Sequence, residues 1–256
     1  MGAEGRAPFP SADAMMLAAG GGLCLTESRS PDAVSEAIRA RAARFRPPGR
    51  EDGDPFDPLC RHFLLRPEAG VAPVGGFRLQ LFPDGPSAAS GYSAGRYDLA
   101  PLAKITRPVA ELGRFWLDMP GGGAADGMRL VLAGLTRLVR ANRIALLFGC
   151  ASFPGAEAAS HAAALNWLRT RHTGPEGFAP RAWRPARATA AVPSAAGLPP
   201  LLRLHLGAGA WVGPDAVEDA DLGTTHVFMA LETARVPLAR ARALKALARL
   251  AAYKPT

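Results

Sequence analysis

Apolar and polar positions along the chain recur with two different periods, which predicts helices between strands. The clearest helix is predicted over 128–141, where Leu130, Leu135 and Leu138 lie in one apolar stripe. A continuous apolar run over 144–150 predicts a buried strand. Further strands are predicted over 22–27, 59–66, 74–82, 107–118, 211–212 and 226–232, and further helices over 31–45, 156–171, 201–206 and 237–252. Helices between strands in this order indicate an α/β fold layered around one sheet.

Local signals set several boundaries. Ser30 is a typical N-cap and Pro31 suits the first helical position, so the helix 31–45 should begin there. Pro47 and Pro48 should end it. Residues 1–20, rich in Gly, Ala and Pro, are expected to form a flexible N-terminal tail. We expect residues 21–256 to form a single domain that ends in an amphipathic helix at 237–252.

Composition narrows the class of protein. The 256 residues are 48% hydrophobic and 20% charged, which is typical of a globular chain with a substantial core. The apolar run 14–25 is broken by three glycines, and no run reaches the roughly 18–20 residues of a membrane helix. Cys24, Cys60 and Cys150 show no metal or disulfide spacing, which favours a reducing cytoplasm. The five histidines show no metal spacing either, so no metal is expected.

The net charge of +8 favours anionic partners such as nucleic acid, anionic lipid or an acidic carrier protein. The alternative is a surface that is merely rich in arginine. The basic residues are scattered and are not interleaved with aromatic residues, so no nucleic-acid partner is expected. In the C-terminal helix, Arg242, Lys245 and Arg249 share one face, which could meet an anionic membrane or a carrier protein. The alternative is an ordinary amphipathic helix that packs on the domain.

The most informative stretch is the predicted strand that carries Glu111 and Arg114 and runs into a glycine-rich turn and a helix. The glycines are Gly121, Gly122, Gly123 and Gly127. Free N–H groups at a helix N-terminus suit a phosphate, so this turn could hold the phosphopantetheine of an acyl donor. The alternative is a plain flexible loop. Together these features predict transfer of an acyl group from a phosphopantetheine carrier.

Several blocks of sequence resemble the ornithine N-acyltransferases of bacterial ornithine lipid synthesis. They are Tyr92-Ser93-Ala94-Gly95-Arg96-Tyr97-Asp98-Leu99, Glu111-Leu112-Gly113-Arg114, Gly149-Cys150-Ala151-Ser152-Phe153-Pro154-Gly155, Leu198-Pro199-Pro200-Leu201-Leu202 and Gly223-Thr224-Thr225. More distantly, the chain is similar to acyl-homoserine lactone synthases. That likeness rests on Arg41 with Phe45, on Asp52, Asp54 and Asp57, and on Glu111 with Arg114. The chain departs from the ornithine enzymes over 115–120, which holds no histidine, and at His226, where they commonly have Asp.

The resemblance implies the GNAT acyltransferase fold, a mixed and mostly antiparallel twisted sheet flanked by helices. It implies transfer of a 3-hydroxyacyl group from acyl carrier protein to the α-amino group of ornithine, which gives a lyso-ornithine lipid. No permanently bound cofactor is expected, since the acyl donor is a phosphopantetheine thioester. The expected location is cytoplasmic, with peripheral contact at the inner membrane. The alternatives are another amine, acyl-CoA as donor, or a degenerate relative that binds the carrier without turnover.

Roles follow for the acid and the arginine of the strand. An amine attacks a thioester only as the free base, so a proton acceptor is needed, and Glu111 is the candidate. Alternatively, Glu111 forms an ion pair with Arg114 or Arg78. Residues i and i+3 of a regular strand face opposite sides, so a shared catalytic site for Glu111 and Arg114 needs a bulge, which Gly113 favours.

The remaining candidates bind the substrate or the leaving group. Asp52, Asp54 and Asp57 could hold a cationic substrate, with Phe45 beside them; the alternative is a solvated acidic loop. Arg78 could bind a substrate carboxylate, or it could be an edge-strand arginine that faces solvent. Ser152 follows a buried strand and could protonate the leaving thiolate, or it could simply be a turn serine.

Overall fold

The computed structural model describes residues 14–68, 72–119 and 123–251. The strands and helices of this part of the chain are β1 (Ala14–Gly20), β2 (Leu23–Ser28), α1 (Pro31–Phe45), β3 (Arg61–Pro67), β4 (Gly75–Phe82), β5 (Tyr97–Asp98), β6 (Val109–Leu117), α2 (Ala124–Ala141), β7 (Leu146–Pro154), α3 (Ala162–Arg171), β8 (Arg181–Ala182), α4 (Pro200–Gly207), β9 (Trp211–Asp219), β10 (Thr224–Glu232) and α5 (Leu238–Leu250). Short 3-10 turns at Pro86–Ser90, Tyr92–Gly95 and Ala100–Lys104 occupy most of the segment between β4 and β6.

Most predicted elements are confirmed to within a few residues. Helix α1 has the predicted bounds, and the Ser30 hydroxyl accepts a hydrogen bond from the Ala33 amide at 3.2 Å, as an N-cap should. The predicted strand 144–150 is β7, which continues to Pro154. The predicted helix 156–171 is a 3-10 turn followed by α3.

The predicted N-terminal tail is wrong for residues 14–20, which form β1 and pair with β2. Gly21 and Gly22 make the turn between these strands with φ angles of +63° and +72°. Glycine adopts such left-handed angles without steric cost, so the glycines that favoured a loose tail in fact close a hairpin. Residues 1–13 lie outside the described residues.

The sequence predicted one domain from residue 21 onward, whereas the chain separates into two compact units. The first comprises the described residues of 1–79, 114–141 and 242–256, and the second comprises residues 80–113 and 142–241. Strands β4, β6 and helix α5 each contribute residues to both units.

In the first unit, β1, β2, β3 and β4 pair in that order, each antiparallel to the next. Helix α2 lies close against the hairpin: a Cβ added at Gly134 would collide with Leu25 and Leu17. Helix α1 packs through Ala37 on Leu64 and Trp116. The burial of α1 matters for the site because it fixes Arg41 on the inner face of the helix.

In the second unit, β7 pairs in parallel with β6 over Val109–Glu111 and antiparallel with β10, which in turn pairs with β9. Alternate residues of β7 point to opposite faces of the sheet. One face carries Leu146 and Phe148 into an aromatic core, and the other carries Phe153 into a core with α3 and α4. The predicted fold class, a mixed and mostly antiparallel sheet with flanking helices, is confirmed. Among the described residues, no helix is both long and apolar enough to cross a membrane.

Candidate active site

The predicted site residues of the first unit form one buried ionic network. We call it the arginine–aspartate cluster. Its members are Arg41, Arg46, Arg78, Arg114, Asp52, Asp54 and Asp57. Four guanidinium groups face three carboxylates, so the ionic members carry a formal excess of one positive charge. Such a network is stable only where nearly every charge is paired, because buried unpaired charges are costly.

Arg41 lies at the centre of the cluster and is 3% exposed. Its Nη1 and Nη2 donate to the two oxygens of Asp57, each at 2.7 Å. Its Nε donates to Asp52 Oδ2 at 2.7 Å, and Nη2 also donates to the Asp52 carbonyl at 2.5 Å. The guanidinium thus ties helix α1 to the loop that carries both acids, and it uses the planar bidentate geometry that distinguishes arginine from lysine.

Two strands supply the other guanidinium groups. Arg78 of β4 donates to Asp54 at 2.6 Å and to Asp57 at 2.7 Å. Arg114 of β6 donates to Asp52 at 3.0 Å and to Asp54 at 3.2 Å, and its guanidinium carbon lies 5.8 Å from the ring centroid of Phe45. The predicted irregularity in β6 is present, but the left-handed residue is Arg114 itself, with φ +50°, and not Gly113.

The cluster corrects several predictions for its members. Asp52 is completely buried and Asp57 is 4% exposed, so the alternative of a solvated acidic loop is wrong. Both carboxylates are engaged by arginines of the chain, and their predicted contact with a cationic substrate stays a prediction. Arg78 is 4% exposed and holds aspartates, so it is not a solvent-facing edge residue. Asp54 is the most exposed member of the cluster, with 14% of its side chain accessible.

The charge state of Asp57 follows from its partners. Burial alone would raise the pKa of this carboxyl, but hydrogen bonds from Arg41, the Asp54 amide and Arg78 outweigh it and lower the pKa to about 2. His62 lies beside it, with Nε2 3.0 Å from the Asp57 carbonyl oxygen, and burial lowers the pKa of that imidazole. Asp57 therefore remains ionised, and His62 neutral, at neutral pH.

The predicted phosphopantetheine turn is only partly described. Gly121 and Gly122 lie outside the described residues. A Cβ at Gly123 would lie 2.8 Å from Met119 Cε, and a Cβ at Gly127 would collide with Met119 Sδ. Gly127 is buried in the first turn of α2 against Leu117 and Leu65. Close packing within the first unit therefore accounts for the absence of a side chain at Gly127, and its contact with the donor stays a prediction.

In the second unit, Glu111 caps a turn. Its carboxylate accepts hydrogen bonds from the Tyr92 amide at 2.8 Å, from the Ser93 amide at 2.7 Å and from the Ser93 hydroxyl. Glu111 is 5% exposed, and a Cβ at Gly91 would lie 2.5 Å from its Oε2. Hydrogen bonds to the ionised form stabilise the carboxylate and fix its orientation.

Cys150 continues this polar group across the sheet. Its sulfur lies 3.5 Å from the Ser93 hydroxyl oxygen, and burial raises the pKa of the thiol to about 12. A thiol with so high a pKa is a poor nucleophile at neutral pH. Cys150 is therefore poorly suited to form an acyl-cysteine intermediate at neutral pH.

A second buried pair lies on the same face, where Tyr97 meets His226. The Tyr97 hydroxyl donates to the His226 carbonyl at 3.1 Å, and its oxygen is 3.0 Å from Nδ1. The oxygen can therefore accept from Nδ1–H, which leaves Nε2 as the unprotonated nitrogen. Burial lowers the pKa of His226 to about 4. Among the described residues, its Nε2 has no hydrogen-bond partner.

Ser152 lies opposite His226 in the β7–β10 register and is exposed at the end of β7. Directly opposed side chains of antiparallel strands lie about 4.5–5.5 Å apart at Cβ, so the hydroxyl and the imidazole are neighbours on one face. Sequence reasoning identified Ser152 but missed Ser93, Tyr97, Asp219 and His226 as members of a polar group. The hydroxyl and guanidinium groups of Tyr92 and Arg96 approach Asp219 at 3.4 and 3.3 Å.

The sequence of the chain is similar to those of known acyltransferases. Residues 35–120 match the model of the acetyltransferase (GNAT) domain family. The chain is 34% identical over 198 residues to an L-ornithine N(alpha)-acyltransferase of Rhodobacter capsulatus, which covers 72% of this chain and 75% of that protein. It is 32% identical over 218 residues to the enzyme of the same name from Brucella abortus, which covers 78% and 77%.

A solved structure described as FeeM, an N-acyl amino acid synthase from uncultured soil microbes, is also similar. It has a TM-score of 0.48 and 14% identity over 89% of this chain and 97% of that chain.

The fold and the matched domain define an acyltransferase of the GNAT class, which uses an acyl-CoA or a similar thioester as donor. Within that class, the chain belongs to the L-ornithine N(alpha)-acyltransferase family.

Proposed function

We propose that this enzyme transfers a 3-hydroxyacyl group from acyl carrier protein to the α-amino group of ornithine and so forms a lyso-ornithine lipid. The observation that carries the proposal is the 34% identity with a protein named L-ornithine N(alpha)-acyltransferase over three quarters of that protein's length. The net charge of +8 supports a donor on an acidic carrier.

The reaction is aminolysis of a thioester. The amine nitrogen attacks the carbonyl carbon, a C–N bond forms and the C–S bond breaks. One proton leaves the amine and one is taken up by the departing thiolate. The enzyme therefore has to provide a proton acceptor for the amine and a donor for the sulfur, directly or through water.

Glu111 is the proposed acceptor and Ser152 the proposed donor. The three hydrogen bonds to Glu111 hold its carboxylate in one orientation, which is what positioned general-base catalysis requires. Ser152 is exposed and lies beside the neutral imidazole of His226, so its hydroxyl is accessible to a leaving group. Cys150 takes no part, because its thiol stays protonated.

We propose that the amine substrate binds to the most exposed members of the arginine–aspartate cluster. Asp54 retains 14% exposure, and Arg114 and Arg46 each retain 7%. The carboxylate of Asp54 can attract the cationic side chain of ornithine, and the guanidinium of Arg114 suits the carboxylate of ornithine. The sequence suggested a shared catalytic site for Arg114 and Glu111. We propose that Arg114 orients the amino acid and does not exchange protons.

The test is a reconstituted reaction with purified enzyme, 3-hydroxyacyl carrier protein and ornithine, followed by mass spectrometry. We expect a product acylated on the α-amino group, which fragmentation distinguishes from the δ-isomer. Parallel reactions contain lysine as the amine, or acyl-CoA or an unsubstituted acyl carrier protein as the donor. Absence of product with ornithine and formation of product with another amine would overturn the substrate assignment; absence of product with every amine would indicate a non-catalytic relative.

A further inference from the structure

The C-terminal helix α5 has an outer face that the reaction chemistry does not use. Glu232 is the last acidic residue in the sequence, whereas Arg235, Arg240, Arg242, Lys245, Arg249 and Lys254 follow it. The segment that holds α5 is therefore the most uniformly basic part of the chain.

The basic side chains of α5 are concentrated on one strip. At about 100° per residue, Arg242, Lys245 and Arg249 fall within an arc of about 60°. All three are exposed. The opposite side of the helix carries Leu244 and Leu247, which are partly covered. The strip thus faces solvent along most of the helix length.

Apolar side chains border the basic strip. Leu238 is 76% exposed and Leu250 is 86% exposed, at the two ends of the helix. Ala239, Ala243 and Ala246 are exposed on the face between them. The structure keeps Leu244 and Leu247 partly covered but exposes Leu250.

The three basic side chains of the strip are also unpaired within the described residues. Arg235, just before the helix, pairs with Glu232 at 3.2 Å. Within the described part of the chain, the side chains of Arg242, Lys245 and Arg249 enter no salt bridge or side-chain hydrogen bond. A row of unpaired cations beside exposed leucines is the arrangement of a helix that lies in a charged membrane interface.

We propose that the outer face of α5 is the surface through which this enzyme binds an anionic phospholipid bilayer. The cations meet the lipid headgroups, and Leu238 and Leu250 enter the boundary with the acyl chains. These two leucines are about 18 Å apart along the axis, so a broad flat surface can contact both together. The choice of a bilayer over an acidic protein rests on the proposed function, because an amino acid with one long acyl chain partitions into membranes.

Vesicle flotation of the full-length enzyme tests the proposal without substrates. We expect the enzyme to float with phosphatidylcholine vesicles that contain phosphatidylglycerol, but not with phosphatidylcholine alone. Binding should weaken between about 0.05 M and 0.5 M salt, since exposed charges are screened. The variant Arg242→Gln/Lys245→Gln/Arg249→Gln should bind at least about tenfold more weakly, and Leu250→Gln should also weaken binding.

The matched control is Lys104→Gln/Arg184→Gln/Arg187→Gln, which removes three exposed positive charges of the second unit that lie off α5. It should bind vesicles as the wild type does. An equal loss in this control would make net charge, and not α5, the determinant. Thermal unfolding of each variant shows that the fold is retained.

Two further results would overturn the proposal. One is unchanged vesicle binding by the triple α5 variant. The other is a variant that binds vesicles normally but has a raised KM for a carrier-linked donor and an unchanged KM for the matching pantetheine thioester, which would make α5 a carrier-docking helix. Because flotation needs no turnover, failure here leaves the acylation assay unaffected, and failure of that assay leaves flotation interpretable.

Discussion

The guanidinium of Arg41 holds the carboxylate of Asp57 through two hydrogen bonds of 2.7 Å, with both side chains no more than 4% exposed. The pair joins helix α1 to the loop before β3. A buried ion pair of this kind contributes little relative to a well-packed apolar pair, but removal of one partner leaves an unpaired charge in the interior. The stability of the first unit should therefore depend strongly on each member.

Arg41→Met should destabilise the protein by about 3–5 kcal/mol, because Asp52 and Asp57 would lose their central partner. Urea unfolding followed by circular dichroism measures the loss. Arg39→Met is the matched control, since Arg39 is an exposed residue of the same helix, and it should change the free energy of unfolding by less than about 0.5 kcal/mol. Similar losses in both variants would contradict the structural role of Arg41.

Asp54 and Asp57 should separate binding from stability. Asp54→Asn should raise the KM for ornithine at least about tenfold, because a charge-assisted contact with the cationic side chain is lost, while the donor KM stays near normal. Asp57→Asn should lower the free energy of unfolding, because a neutral amide cannot satisfy Arg41 and Arg78. An unchanged KM for ornithine in Asp54→Asn would show that the amine does not bind at this cluster.

Glu111→Gln should reduce kcat about 100-fold if the carboxylate accepts the proton of the amine. Ser93→Ala is the control, because it removes one of the hydrogen-bond donors to Glu111 and leaves the carboxylate in place. We expect that variant to keep kcat within about tenfold of the wild type. Wild-type turnover in Glu111→Gln, or a large fall in melting temperature with a proportional loss of activity, would assign Glu111 to the 92–95 turn alone.

The thiols of Cys24 and Cys150, two of the three cysteines, should be nearly inert in the folded enzyme. Burial raises the pKa of Cys150 to about 12 and that of Cys24 to about 11, so very little of either is thiolate at pH 8. Iodoacetamide should modify both at least about 100-fold more slowly than in urea, as peptide mass spectrometry can follow. Cys150→Ala should retain turnover within a few fold. Rapid alkylation of Cys150, or loss of turnover in the variant, would revive an acyl-cysteine intermediate.

Local sequence signals predicted local structure well. Ser30 and Pro31 determine the start of α1 through contacts within one helical turn, and the structure has that start. The prediction failed for β1, where flexible glycines resemble a loose tail unless the pairing of Ala14–Gly20 with β2 is known. The close packing of Gly127 on Met119 and Leu65 could not be predicted for a similar reason, because it exists only once α2 is packed.

The sequence predicted which residues belong to the cluster but not which of them contact each other. Asp52, Asp54, Asp57, Arg78 and Arg114 were all identified, yet their partners are up to 62 positions away in the sequence, and no periodicity links them. Tyr97 and His226 are 129 positions apart and were not connected at all. The only sign of His226 in the sequence was that the family which the chain resembles commonly has Asp at this position. The burial of His226 gives that difference a chemical meaning.

The neutral state of His226 should make stability depend on pH. Its pKa is lowered from 6.5 to about 4 by burial, while Asp219 opposes and Arg96 reinforces that effect. Below pH 6.5, His226 therefore binds a proton in the unfolded chain, whereas in the folded protein it binds one only near pH 4. The contribution is fully present above pH 6.5 and is lost as the pH falls towards 4, by up to about 3 kcal/mol.

His226→Asn isolates this contribution, because the amide can still contact Tyr97 but does not titrate. Urea unfolding of both proteins at several pH values should show the wild type losing stability relative to the variant between pH 6.5 and 4, with no relative change above pH 7. The buried His62 and His205 titrate alike in both proteins and cancel in the difference. Parallel stability curves for the wild type and the variant across pH 6.5–4 would mean that His226 titrates normally and is not enclosed as the structure has it.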